Sequence, residues 1–272
     1  MIKMVAVDMD GTFLKGTNEY NRKRFADIYQ KMLKDEVKFV VASGNQYYQL
    51  KSFFPEIESQ ISFVAENGAL VISEGEELFC GEMSLQLVHE ILEFLKTIPE
   101  VHTILCGRQS AYVEEVETAE FVAHGRIYYH RLKIVPSLLE LNQDKFFKFA
   151  LNVPDEMTEE ILALLNQQFA GQIAAVSSGH GDIDLIIPGL HKANGLRILQ
   201  EKWGIHEDHL ASFGDGGNDL EMLRHAGYSY AMENGSPAAK EAAENLAPSN
   251  NEEGVLVILE ELLQMKDRLA DD

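Results

Sequence analysis

The stretch VAVDMDGT, residues 5–12, places Asp8 and Asp10 directly after a short apolar run. A short apolar run that stops at polar residues is typical of a buried strand. Two carboxylates this close resist joint ionisation unless a cation or a proton lies between them. The stretch therefore predicts a strand that ends at a charged site.

The same pattern, a short apolar run followed by a polar residue, recurs along the chain. The apolar run VKFVVA (37–42) precedes Ser43, and ISFVAE (61–66) precedes Asn67. Between the first two runs, apolar residues recur at the spacing of an amphipathic helix: Phe25, Ile28, Tyr29, Met32 and Leu33. Strand, helix, strand order predicts an α/β fold, a Rossmann-like parallel sheet core with helices on both faces. The pattern returns from Lys192 to the C-terminus.

The middle of the sequence has a different organisation. Several apolar runs there are joined by short turns, which predicts an inserted α+β cap domain with an antiparallel sheet over residues 83–187. Residues 1–82 and 188–272 then form the core. Gly179-His180-Gly181 is predicted as a hairpin turn, and IYYHRLKIV (127–135) as one of the strands.

Composition limits the functions that remain. A formal net charge of -21 argues against binding to nucleic acid or to an anionic membrane, since both are held largely by Lys and Arg. Only Cys80 and Cys106 are present, and no apolar run approaches the roughly 18 to 20 residues of a membrane span. We therefore expect a cytoplasmic protein, and a monomer by default. An anionic ligand would need positive charge from a metal or a placed lysine.

Neighbouring parallel strands bring their carboxyl ends to one edge of a sheet, where such folds bind ligands. The residues predicted to meet there are Asp8, Asp10, Ser43, Lys192, Asp215, Asn218 and Asp219. Their excess of carboxylates calls for a hard cation with oxygen ligands, and Mg²⁺ fits because it combines a few carboxylates with phosphate and water.

This set of side chains suits phosphoryl transfer. Asp8 can attack phosphorus to form an acyl phosphate, and Asp10 can act first as general acid and then as general base. Ser43 and Lys192 would hold the non-bridging oxygens. Gly11 permits a tight turn after the acids.

Four segments in this order resemble the motifs of the haloacid dehalogenase superfamily of phosphatases. They are DMDGT (8–12), ASGN (42–45), the lysine of HKANG (191–195) and GDGGND (214–219). With ENGA (66–69), the sequence is similar to Cof-type members with a subclass IIB cap, and more closely to the bacterial sugar phosphatases of the Escherichia coli type. The resemblance covers essentially the whole chain.

The resemblance implies a Mg²⁺-dependent sugar-phosphate phosphatase with Asp8 as nucleophile and Asp10 as acid/base. The implied metal ligands are Asp8, the Asp10 carbonyl and Asp215. The implied phosphate contacts are Met9, Ser43, Gly44, Lys192 and Asn218, and the implied supporting residues are Gly11, Thr12 and Asp219. Many relatives have arginine where this chain has Asn45, so Asn45 is expected to contact a sugar hydroxyl.

The candidates for contact with the substrate are Asn45, Asn67, His180, Asp182 and Asp184. An insert this large would roof the site and favour small phosphates over phosphoproteins. A sugar phosphomutase and a non-catalytic sugar-phosphate sensor remain as alternatives, because the motifs do not say whether water or a second hydroxyl attacks the acyl phosphate.

Overall fold

The computed structural model describes residues 1–179 and 181–270. The strands are β1 (Met4–Val7), β2 (Lys38–Ala42), β3 (Ser62–Ala65), β4 (Leu70–Ser73), β5 (Glu76–Cys80), β6 (His102–Gly107), β7 (Ala111–Glu114), β8 (Leu132–Val135), β9 (Phe146–Asn152), β10 (Ala174–Gly179), β11 (Asp182–Ile186), β12 (Leu210–Gly214), β13 (Tyr228–Met232) and β14 (Asn245–Ala247). The α-helices are α1 (Arg22–Lys34), α2 (Tyr47–Ser52), α3 (Leu85–Leu95), α4 (Ala119–Tyr128), α5 (Thr158–Gln168), α6 (Lys192–Trp203), α7 (Leu220–His225), α8 (Pro237–Ala242) and α9 (Gly254–Ala270). Within those described ranges, no helix combines the length and the apolar character that crossing a membrane would require.

The chain divides into two compact units. The first comprises Met1–Gly44, Phe54–Phe79 and His191–Asp272, and the second comprises Asn45–Phe53 and Cys80–Leu190. The insert was predicted over residues 83–187, whereas the long segment of the second unit, Cys80–Leu190, extends three residues further at each end. The prediction did not assign residues 45–53 to this unit.

The first unit is built on a mixed sheet with strand order β14-β13-β12-β1-β2-β3-β4-β5. From β14 to β3 the neighbours are parallel, and β4 runs antiparallel to β3. The predicted α/β fold with a parallel sheet core is confirmed. Parallel strands need a crossover element between them, which explains why helices separate these strands in the sequence.

Both faces of this sheet are covered by helices because successive residues of a strand point to opposite faces. On one face Val40 and Ala42 pack with Leu196 and Leu199 of α6. On the other, the ring of Phe39 lies 4.9 Å from that of Phe25 in α1. Phe25, Ile28, Tyr29 and Met32, four of the five apolar positions that the helical spacing singled out, are buried, whereas the fifth, Leu33, is 45% exposed.

The second unit holds a sheet with strand order β10-β11-β9-β6-β7-β8. Its neighbours are antiparallel except for β7 and β8, which are parallel. The run 127–135 was predicted as one strand, but only Leu132–Val135 is strand, and α4 continues to Tyr128. The helix persists because Gly125 lets it approach β6 and β8, where an added Cβ would lie 3.0 Å from Ile104 Cδ1.

Helix α2 belongs to the second unit through its side chains. Gln46, which is buried, donates from Nε2 to the Arg131 carbonyl at 3.0 Å and accepts the Arg131 N–H at 2.9 Å. The Tyr48 ring lies 3.6 Å from the Arg131 guanidinium carbon, and its hydroxyl donates to the Arg108 carbonyl at 3.2 Å.

Candidate active site

Three neighbouring parallel strands deliver the predicted site residues to one edge of the sheet. Val7 at the end of β1 is in register with Val41 of β2 and Phe213 of β12. Asp8, Ser43 and Asp215 follow these strands directly. The geometry of the parallel sheet thus places the three polar residues side by side.

Among the described residues, Lys192 is the only basic residue whose side chain contacts two buried carboxylates. Its Nζ lies 2.6 Å from Asp8 Oδ1 and 2.7 Å from Asp219 Oδ1. The side chains of Lys192 and Asp219 are 0% exposed and that of Asp8 is 8% exposed. Lys192 is also the first residue of α6. The ammonium therefore counters two carboxylates in a site that water barely reaches.

Asp219 is held by both of its oxygens. Oδ1 accepts from Lys192, and Oδ2 accepts the backbone N–H groups of Asp215 and Gly216, each at 2.9 Å. Asp219 therefore orients the lysine and the loop that carries Asp215.

Asp215 is fitted against the turn that follows Asp8. Its Oδ1 accepts from Thr12 Oγ1 at 3.1 Å. Gly11 has φ +75, and a Cβ there would lie 2.5 Å from Asp215 Oδ2. Glycine is required at this position both by the left-handed backbone and by the carboxylate next to it.

Burial and mutual repulsion shift the acid–base equilibria of these groups. Burial, opposed by Lys192, raises the pKa of Asp8 to about 8. Burial also raises the pKa of Asp215, and the nearby charge of Asp219 adds to this. Burial alone would lower the pKa of Lys192, but Asp219 and Asp8 raise it above its ordinary value, so the ammonium stays charged.

The carboxylates can meet at a single cation. Ligand oxygens of Asp8, Asp215 and Asp219 lie within 4.8 Å of one another. Burial raises the pKa values of Asp8 and Asp215 even though the Lys192 ammonium lowers both, so one ammonium does not offset the cost of burying these carboxylates. Carboxylate oxygens are the donors that Mg²⁺ prefers, so this donor set fits the ion. Because Asp219 already uses both oxygens, Asp8 and Asp215 are the better ligands.

A second group of predicted residues lies around the turn after β3. The buried Ser43 donates its N–H to Val64 O at 2.9 Å, and its carbonyl accepts the Asn67 N–H at 3.1 Å. Asn218 Nδ2 donates to Asn67 Oδ1 at 3.1 Å. Gly44 adjoins the Asn67 amide, which a Cβ on Gly44 would approach to 3.0 Å.

Asp10 and Met9 differ in burial although they are adjacent. Met9 is buried, whereas the Asp10 side chain is exposed, with its charge contributing to the raised pKa of Asp215. Both lie in the wide turn Met9–Phe13, which closes with a Leu14 N–H to Met9 O hydrogen bond of 2.9 Å. An exposed carboxyl beside the buried one is available for proton transfer with solvent.

Of the remaining substrate candidates, Asn45, Asp182 and Asp184 belong to the second unit, and one is not among the described residues. Asn45 begins that unit. Asp182 Oδ1 accepts from Asn152 Nδ2 at 2.8 Å, while burial raises the pKa of Asp184. His180 lies outside the described residues.

Sequence reasoning overlooked the turn after β13. Asn234 Nδ2 donates to the Gly11 carbonyl at 2.7 Å, and the Ser236 N–H donates to the Asp215 carbonyl at 2.8 Å. The signal was present, because the segment ENGS (233–236) follows the end of a parallel strand, as the recognised segments do. This turn braces both loops that carry the carboxylates.

Comparison with known proteins agrees with this architecture. The chain is 51% identical over 263 residues to the Escherichia coli K12 protein named 5-amino-6-(5-phospho-D-ribitylamino)uracil phosphatase YbjI, covering 97% of both chains. It is 25% identical over 283 residues to the Bacillus subtilis protein of the same activity name, YitU, covering 96% of this chain and 98% of that one.

Solved structures show the same fold. The crystal structure of SMU.1108c from Streptococcus mutans UA159 has a TM-score of 0.89 at 36% identity, over 97% of this chain and 100% of that one. A family model described as haloacid dehalogenase-like hydrolase matches residues 5–259. The predicted resemblance is confirmed: the chain belongs to the haloacid dehalogenase-like hydrolases.

Proposed function

We propose that this protein is a Mg²⁺-dependent phosphatase that hydrolyses phosphate monoesters of small sugars or sugar alcohols through an aspartyl-phosphate on Asp8. The observation that carries the proposal is the buried contact of 2.6 Å between Lys192 Nζ and Asp8 Oδ1, with Asp215 beside it. Its phosphatase relatives support the reaction class.

In the first step, an oxygen of ionised Asp8 forms a bond to phosphorus while the bond from phosphorus to the ester oxygen breaks. Asp10 donates a proton to that leaving oxygen, which departs as an alcohol. Lys192 fixes Asp8 Oδ1 and offsets negative charge that develops on the phosphoryl group.

In the second step, water attacks the acyl phosphate. Asp10, now a carboxylate, takes a proton from the water as its oxygen bonds to phosphorus. The bond between phosphorus and Asp8 then breaks, which releases inorganic phosphate and restores the carboxylate. Ser43, Asn218 and the backbone N–H groups of Met9 and Gly44 are the proposed contacts of the non-bridging oxygens.

Asp8, Asp215 and the Asp10 carbonyl would hold Mg²⁺, and Asp219 would act indirectly through Lys192 and the Asp215 loop. When bound, the ion supplies positive charge that keeps Asp8 ionised near neutral pH and neutralises phosphate oxygens. This role fits the chain, because without a cation the pKa of Asp8 is raised to about 8 and less of the nucleophile would be ionised at pH 7.

The substrate we test first is 5-amino-6-(5-phospho-D-ribitylamino)uracil. The Escherichia coli relative at 51% identity carries this compound in its name. Its phosphate is a monoester of a ribityl chain, a sugar alcohol, so the proposal from the relative and the sequence-based expectation of a sugar phosphate describe the same kind of leaving group.

The test is phosphate release from this compound and from a panel of hexose, pentose and non-sugar phosphates. Each reaction is run with Mg²⁺, with EDTA, and with Asp8→Asn. Asp27→Asn, an exposed aspartate of α1, is the matched control. We expect turnover in the wild type and in Asp27→Asn, with loss of at least a thousandfold in Asp8→Asn and in EDTA.

Two outcomes would favour the alternatives. Isomerisation without net phosphate release would identify a mutase. Binding of several sugar phosphates without turnover or trapped acyl phosphate would identify a sensor.

A further inference from the structure

The turn that follows β3 has an uncommon backbone. Glu66, Asn67 and Gly68 have φ values of +50, +54 and +92, so three consecutive residues are left-handed. Only Gly adopts this conformation without steric cost, and Asn tolerates it better than most residues. Such a run persists only where the surrounding structure holds it, which makes its contacts informative.

The turn contacts three of the four segments that carry proposed phosphate-binding residues, those of Ser43–Gly44, Lys192 and Asn218. The Asn67 N–H donates to the Ser43 carbonyl at 3.1 Å. The Asn67 side chain packs on Gly44 and accepts from Asn218 Nδ2 at 3.1 Å. A Cβ on Gly68 would lie 2.4 Å from the carbonyl oxygen of His191, the residue before Lys192.

We infer that Asn67 is a positioning residue, which fixes the Ser43–Gly44 loop and the Asn218 amide in the geometry that binds a phosphoryl group. This inference rests on the proposed function and replaces the expectation that Asn67 contacts the sugar. Its Oδ1 is already engaged by Asn218, so its effect on substrate is exerted through that amide and through the loop that it packs on.

The chain offers a well-matched control. Asn18 is exposed, has φ +58, and lies in another turn, with its N–H bonded to the Lys15 carbonyl at 2.9 Å. Asn67→Gly and Asn18→Gly both remove an amide side chain from a left-handed residue. Because glycine adopts this backbone freely, both variants are expected to fold.

The readout is the binding of inorganic phosphate in the presence of Mg²⁺, by calorimetry and by product inhibition, together with kcat and KM for several phosphate monoesters. Asn67→Gly should weaken phosphate binding by about three- to tenfold, the effect of losing one hydrogen bond between neutral groups. KM should rise by a similar factor for every substrate, because the phosphate is common to all. Asn18→Gly should match the wild type.

A double-mutant cycle tests the route of the effect. If Asn67 acts through Asn218, then adding Asn67→Gly to Asn218→Ala should weaken phosphate binding by less than the single change does in the wild type. A role in sugar contact would instead change KM selectively among sugars and leave phosphate binding unchanged.

The inference is overturned if Asn67→Gly binds phosphate as tightly as Asn18→Gly does, or if the wild type binds no phosphate. A wild type that binds phosphate but releases none from any monoester would overturn the proposed function instead. The comparison of the two glycine variants would then still decide the role of Asn67.

Discussion

Replacing Lys192 with methionine should destabilise the first unit far more than breaking an exposed ion pair of equal length. Methionine keeps an unbranched side chain, one atom shorter, and removes the charge together with the hydrogen bonds to Asp8 and Asp219. The loss leaves Asp219, at 0% exposure, without its counter-charge. Removing one partner of a buried ion pair costs about 3 to 5 kcal/mol. Asp8 can take up a proton, which favours the lower end of this range, about 3 kcal/mol.

Lys202 on the same helix is the control. Its Nζ lies 2.6 Å from Glu76 Oε2, the same distance as between Lys192 Nζ and Asp8 Oδ1, but the side chains of Lys202 and Glu76 are 33% and 68% exposed. Exposed pairs contribute about 0 to 1 kcal/mol, so Lys202→Met should cost under about 1 kcal/mol. The substitution and the helix are shared, so the two variants differ in the burial of the ion pair and in the number of carboxylates contacted, which is two for Lys192 and one for Lys202.

Urea denaturation followed by tryptophan fluorescence measures both variants. Trp203, the single tryptophan, is the last residue of α6 and therefore reports on the unit that holds both lysines. The experiment is run in EDTA, because a cation beside Asp8 would change the charge balance. Adding Asp219→Asn to Lys192→Met removes the unpaired charge and should recover about 1 to 2 kcal/mol. Equal free energies of unfolding for the two single variants would refute the argument from burial.

Two further predictions concern packing and acid stability. Gly195→Ala should lower the free energy of unfolding by about 1 to 3 kcal/mol, although alanine favours helices, because the added Cβ would lie 2.4 Å from Val64 Cγ1; an unchanged urea midpoint would contradict this. Hydrogen bonds from Lys15 and then Arg24 lower the pKa of Glu253 to about 2. The carboxylate therefore contributes fully to the free energy of unfolding above the unfolded pKa of about 4.3, and this contribution is lost as the pH falls toward 2. Glu253→Gln should therefore cost about 1 to 2 kcal/mol at pH 7, after allowance for solvent screening, and this difference should close between about pH 5 and pH 2; a difference independent of pH would contradict it.

The sequence was sufficient to predict those site residues whose placement follows from strand topology. Asp8, Ser43 and Asp215 each follow a parallel strand directly, and a parallel sheet aligns its carboxyl ends. Lys192 could be placed because it starts the helix after the insert. These predictions needed only the order of strands and helices along the chain, which is visible in the sequence as short apolar runs that alternate with helical segments.

Features that depend on distant side chains were not predictable in the same way. Ile127 and Tyr128 favour strands by composition, yet they end a helix whose position is set by packing at Gly125. The assignment of residues 45–53 to the second unit depends on the pairing of Gln46 with Arg131, 85 positions further along the chain. No local pattern encodes contacts of that range.

The charge balance of the site shows why a basic residue alone is not enough for an anionic ligand. The chain has a net charge of -21, and the sequence indicated that positive charge must come from a lysine or a metal. Lys192 supplies one charge among the carboxylates of Asp8, Asp215 and Asp219. A phosphate dianion added to this cluster would deepen an already negative charge, at a site where burial weakens solvent screening. If Asp8 and Asp215 hold Mg²⁺, the cation and the phosphate must each tighten the binding of the other, because binding free energies are reciprocal. On this reasoning the lysine orients Asp8, the proposed nucleophile, and the affinity for phosphate depends chiefly on the cation.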